Sequence, residues 1–236
     1  MMARRGLLGL IAVGAALLLG SCGYLTAREE TIRYKMTVEV ETPEGVKSGF
    51  AVREVTYYEG AGLDKGGISF RGEAVAIGLP NDKTLFALLS APDSDIDYGP
   101  YIYQRVFDWS PDFGDKGEGD FANPEFSHEI VELYPIAPKS SGLVNTNPLP
   151  MLVTFGNISD PKSVEQVEPA DLVASFGSGY ALKRITIQKV NEPVTVGIDK
   201  QLPSYGPNSG FDDWYKNLKY GDPRAVSLSD FRRGIK

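Results

Sequence analysis

The plainest pattern in the chain is a strict alternation of apolar and polar positions. Ile32, Tyr34, Met36, Val38 and Val40 alternate with Thr31, Arg33, Lys35, Thr37, Glu39 and Glu41. A period of two over eleven residues predicts a strand with one face buried and one wet. Thr42-Pro43-Glu44-Gly45 supplies turn residues, and a return strand follows with Ser48, Phe50 and Val52 on one face. The apolar phase then slips by one residue to Val55 and Tyr57. That slip predicts a β-bulge near Arg53-Glu54, so residues 31–59 read as a long antiparallel hairpin. A second hairpin is expected from Ile68–Leu79, a turn at Pro80-Asn81-Asp82-Lys83, and Thr84–Ser90. Leu85-Phe86-Ala87-Leu88-Leu89 is apolar on both faces, which suits a central strand covered from two sides, with a helix as the competing reading.

Further along, Tyr101–Phe107 reads as a strand, Ser127–Tyr134 as a short strand or one helical turn, and Pro150–Phe155 as a strand. Asp160-Pro161 opens a helical turn. Pro169–Gly177 reads as a compact helix, with Pro at its start, Gly just past its end and Leu172, Val173 and Phe176 as its apolar face. Ala181–Val190 is a strand with Ile185 and Ile187 inward, and Val194, Val196 and Ile198 continue the alternation. Phe211–Leu218 predicts a short C-terminal helix. Many strands at short spacing predict a mainly β fold: an antiparallel β-sandwich or partly closed barrel with one or two short helices. Residues 31–236 form one β-rich domain in this reading, with a loop-rich insertion at about 108–148.

The first residues follow a different pattern. Arg4-Arg5 precede Gly6–Gly20, an almost wholly apolar run of 15 residues, shorter than the roughly 20 needed to span a bilayer. A basic start and a short apolar core form a secretory signal peptide. Leu19-Gly20-Ser21-Cys22 then resembles the lipobox of bacterial lipoproteins, with an apolar residue three before the cysteine and small residues between. The resemblance covers residues 1–23. It implies cleavage between Ser21 and Cys22, a signal peptide at 1–21, a covalent diacylglycerol and acyl anchor on Cys22, and a lipidated tether at 22–30. Gly23 after the cysteine implies, by the same resemblance, the inner leaflet of the outer membrane, facing the periplasm. Arg4-Arg5 also resembles the pair in twin-arginine signals, although Gly6-Leu7-Leu8-Gly9 fits that pattern only in part.

Composition narrows the chemistry. Cys22 is the one cysteine and His128 the one histidine among 236 residues. An intrachain disulfide, a Cys-clustered metal site and a multi-His metal site are thereby excluded. The formal net charge is −7. Loss of residues 1–21 removes two arginines and no acid, which takes it to −9. An acidic chain is a poor nucleic-acid binder, because phosphate contacts need a basic face. The 26 Gly and 16 Pro exceed ordinary usage and fit a turn-rich fold. No phosphate-binding loop, dinucleotide fingerprint or nucleophile elbow occurs, and a Ser-His-Asp triad has only His128 as its base.

Two constellations remain. Asp93, Asp95 and Asp97 alternate in a loop, followed by Asp108, and oxygen ligands so spaced suit a calcium ion. An EF-hand comparison fails, since its sixth position is Tyr98 and its twelfth Gln104. Aromatic residues, among them Tyr98, Tyr101, Trp109 and Trp214, lie beside acids and can stack on sugars or anchor a protein partner. The leading expectation is a non-enzymatic lipoprotein, held in the membrane by its anchor, that binds an envelope protein or cell-wall glycan. The alternatives are a glycan-active hydrolase using carboxylates such as Asp95, Asp97 or Asp108, and an envelope exclusion or defence lipoprotein of a mobile element.

Overall fold

The computed structural model describes residues 29–59, 66–92, 98–106, 130–134, 149–202, 211–219 and 221–235. The hairpin predicted by the alternation is present. β1 (Glu29–Glu41) pairs with β2 (Lys47–Tyr58) from Glu29 opposite Tyr58 to Val40 opposite Lys47. Ile32, Tyr34, Met36, Val38 and Val40 are buried on the inner face of β1. Glu29 and Glu30, expected in the tether, already belong to the strand. Thr42 Oγ1 donates to the Gly45 carbonyl at 2.7 Å, and Gly45 closes the turn at φ +101°, a conformation that favours glycine.

The expected bulge at Arg53-Glu54 is absent, because the β1–β2 register runs through without a shift. Ala51, Arg53, Val55 and Tyr57 share the inner face, and Arg53 is fully buried there. Glu54 points the other way, where Arg33 and Arg71 hold its carboxylate at 2.8 and 2.9 Å. A charged residue in the core had the appearance of a phase slip. Phe50, on the outer face, is 57% exposed.

The second predicted hairpin is split between two sheets. β3 (Gly67–Glu73) pairs with β2. At Ala74 the chain crosses over, and β4 (Val75–Leu79) pairs with β5 (Lys83–Ala87). Asn81 and Asp82 make the turn with φ of 61° and 57°, a region that short polar side chains tolerate. Next come β6 (Ile130–Glu132), β7 (Leu152–Phe155), β8 (Val164–Val167), β9 (Ala181–Lys189) and β10 (Arg232–Arg233). One antiparallel sheet has the order β10-β3-β2-β1-β9-β6, and the other β4-β5-β7-β8. The fold is thus mainly β and sandwich-like, and neither sheet closes into a barrel among the described residues.

The main core lies between the sheets and includes Met36, Val38, Ile77, Leu85, Leu152 and Ile187. A second core covers the far face of the smaller sheet with Phe86, Leu88, Val153, Val226 and Phe231. Phe86 meets Phe155 and Phe231 edge-on at 5.7 and 5.5 Å, a favoured aromatic geometry. Leu85 and Ala87 face one core and Phe86 and Leu88 the other, as the two-sided apolar run predicts.

Among the described residues four short α-helices occur in place of one or two: α1 (Tyr98–Val106), α2 (Leu172–Phe176), α3 (Phe211–Lys216) and α4 (Leu228–Phe231). α1 replaces the strand expected at 101–107. Tyr98, Ile102 and Val106 fall one turn apart and pack on the main core, so helical spacing prevails over the local alternation of aromatics. α2 is capped by Asp171, whose carboxylate accepts from the Ala174 amide at 3.1 Å. Pro169 lies ahead of it, and Val173 is exposed, unlike Leu172 and Phe176. Residues 194–198 do not extend a strand. Thr195 bonds Val52 through both its amide and its hydroxyl, and Ile198 is buried at the start of a 3-10 turn, Ile198–Gln201. Within the expected insertion, the described residues 130–134 contain β6, a member of the larger sheet. Its other residues, 108–129 and 135–148, lie outside the described residues.

Candidate functional site

The sandwich has an open side between the edge strands β6 and β8. A cleft of about 510 Å³ lies there, a volume within the range of ordinary ligand sites. Its apolar floor includes Leu133, Leu149 and Ile185, all buried. Its rim carries Glu132, Glu168, Lys183 and Arg184, with Tyr134 62% exposed at the lip.

Two strand features build this rim. First, β9 pairs with β1 across a register shift, Glu39 opposite Arg184 and Val40 opposite Leu182, which leaves Lys183 as the extra residue. The bulge brings two successive cations within reach of one carboxylate: Glu39 accepts from Arg184 at 2.6 Å and pairs with Lys183 at 3.1 Å. These bonds, Arg184's first and Lys183's second, hold the Glu39 carboxyl below the usual carboxylate range. Second, β6 pairs with β9 from Ile130 to Glu132, and the Leu133 amide reaches the Ile185 carbonyl at 2.8 Å. Past that bond β9 continues to Ala181 without a β6 partner among the described residues. β8 pairs with β7 along one side only among the described residues. Two strand edges therefore flank one cleft. Backbone donors and acceptors at such edges can take an added extended chain, and the rim charges of both signs can select its side chains.

A second aromatic cluster lies beneath α1. The Tyr34 hydroxyl donates to the Gly99 carbonyl at 2.6 Å and the Tyr57 hydroxyl to the Pro100 carbonyl at 3.3 Å. Burial raises the pKa of Tyr57 and Tyr98 and pushes Tyr103 up to about 12. Burial also raises the Glu30 carboxyl, against the opposing pull of Lys189. This arrangement clamps the start of α1 to the sheet.

Among the described residues, Tyr98 and Tyr101 lie on α1 and Trp214 on α3, against different cores. Tyr98 is buried in the main core. Tyr101 is 37% exposed on α1. Trp214 packs partly buried against the second core, with the Arg224 guanidinium 5.9 Å from its ring centroid. Ser21, Cys22, Asp93, Asp95, Asp97, Asp108, Trp109 and His128 lie outside the described residues. Among the described residues no three His, Cys, Asp or Glu side chains group as metal ligands, and no helix is long and apolar enough to cross a membrane.

The cleft residues Glu132, Tyr134, Glu168, Lys183 and Arg184 carry no motif. Their one sequence signal was the pair Lys183-Arg184 inside a strand whose apolar alternation begins only at Ile185. No protein-family model, curated protein or solved structure matches the chain.

Proposed function

We propose that the protein is a lipid-anchored, non-enzymatic binding module of the cell envelope, taking an extended segment of an envelope protein into the cleft between β8 and β9. The observation that carries this reading is the pair of strand edges flanking an apolar floor with a rim of both charge signs. The lipobox resemblance at residues 1–23 supports the address, with the acyl anchor on Cys22 and Gly23 favouring the outer membrane. A backbone-led mode of recognition needs no cofactor and no catalytic group.

The test is a photo-cross-linking residue placed at Tyr134 in the anchored protein in cells, with Glu44 on the β1–β2 turn as control. The expected result is a discrete protein adduct from position 134 alone, lost when Lys183 and Arg184 are both changed to Glu. A glycan adduct cleared by a muramidase, or equal adducts from both positions, would overturn the peptide-binding reading.

A further inference from the structure

The β-domain begins close to the proposed anchor. Six residues, 23–28, separate Cys22 from Glu29, the first residue of β1. A fully extended chain of that length reaches no more than about 25 Å. β1 itself is 13 residues long and spans about 40 Å. The end of the sandwich where β1 starts is therefore tied near the lipid, and the far end, with the Thr42–Gly45 turn, lies beyond the tether's own reach.

The near end has a definite make-up. Glu29 lies opposite Tyr58, and Tyr58 opposite Gly67 at the start of β3. The Val190 amide bonds the Arg33 carbonyl at 3.0 Å, which brings the end of β9 and Asn191 to the same place. The hydroxyls of Tyr34 and Tyr57 hold α1 across this end, and α1 presents Tyr101 at its surface, 37% exposed. A tyrosine has an apolar ring and a polar tip, the combination that settles at a membrane–water interface. The charge of −9 on the mature chain opposes laying the long side of the sandwich on an anionic leaflet.

We propose that the sandwich stands end-on to the membrane, with the start of β1 and α1 against the lipid headgroups and Tyr101 at the interface. This stance rests on the lipoprotein reading. It lifts the Thr42–Gly45 turn away from the bilayer and leaves the side cleft open to an approaching chain.

Acylation of Cys22 leaves the mature protein without another thiol, so single engineered cysteines give clean labels. The natively lipidated full chain is placed in vesicles of phosphatidylethanolamine and phosphatidylglycerol. An environment-sensitive fluorophore is attached at Tyr101→Cys, at Asn191→Cys as a second near-end position, and at Glu44→Cys at the far end. Lipids carrying a headgroup-depth quencher should quench the near-end labels roughly threefold or more above the Glu44 label, since interfacial residues sit within headgroup depth. If the chain carries no acyl mass on Cys22, the lipoprotein reading falls and the stance with it. If it is acylated but the Glu44 label is quenched as strongly, or no label is quenched, the anchor stands and the end-on stance is overturned.

Discussion

Arg53 lies between the sheets, fully buried, with its Nε donating to the Glu73 carbonyl at 3.0 Å and one Nη to the Ala87 carbonyl at 3.5 Å. Its other Nη has no hydrogen-bond partner among the described residues. A buried cation satisfied only in part is costly, yet its long stem fills space that a smaller residue would leave empty. Arg53→Ala is expected to cost about 3–5 kcal/mol in a urea titration, because a cavity replaces both stem and bonds. Arg53→Met keeps the stem's volume and should cost about 1 kcal/mol. A loss in the Met variant as large as in the Ala variant would show that the charge, and not the packing, is what the core requires. The same residue breaks the alternation of β2 in the sequence. A polar residue between Val52 and Val55 looks like a change of face, because alternation treats every charge as outward. Only the neighbouring backbone carbonyls, supplied by distant residues, make an inward charge tolerable.

The elements were legible where their pattern was longest. β1, with eleven alternating residues, was bounded to within two residues, and the two-sided run at Leu85–Leu89 marked a strand buried on both faces. Short segments were less legible. Residues 101–107 satisfy a strand by alternating aromatics and a helix by the spacing of Tyr98, Ile102 and Val106, and packing against the main core decides for α1. Residues 68–79 read as one strand, yet Ala74 divides them between the two sheets. The crossing creates a close approach. A Cβ on Gly49 of β2 would fall on the backbone carbonyl of Ala76 in β4, a contact that no side-chain adjustment relieves. Gly49→Ala is therefore expected to destabilise by about 2 kcal/mol, seen as a lower thermal midpoint with the far-UV spectrum retained. An unchanged midpoint would contradict the close packing of β2 on β4.

At the scale of the molecule, the smaller sheet is sandwiched between the larger sheet and the C-terminal segment that carries α3, α4 and β10. β10 pairs with β3 in the larger sheet, through Arg232 opposite Glu73 and Arg233 opposite Gly72. The Ala74 and Leu89 amides also bond the Phe231 and Asp230 carbonyls at 2.7 and 2.8 Å. The two cores are thus linked by the main chain. Phe86→Ala removes a fully buried ring in contact with Phe155 and Phe231, and a cost of about 3–5 kcal/mol is expected. Because β5, β7 and β8 each supply residues to both cores, the loss should lower a single unfolding transition, with calorimetric and van't Hoff enthalpies in agreement. A separate early transition in the variant would show that the C-terminal layer folds as an independent unit.

The sequence by itself determined the fold class and the main hairpin, because strand periodicity and turn chemistry are local. The lipobox resemblance is equally local and stands as the proposed address. Tertiary structure decided which strands share a sheet, that Arg53 turns inward, that α1 is a helix, and that Glu132, Tyr134, Glu168, Lys183 and Arg184 meet around one cleft. Those outcomes depend on contacts between residues far apart in the chain. No short-range pattern encodes a cleft whose two walls come from different sheets.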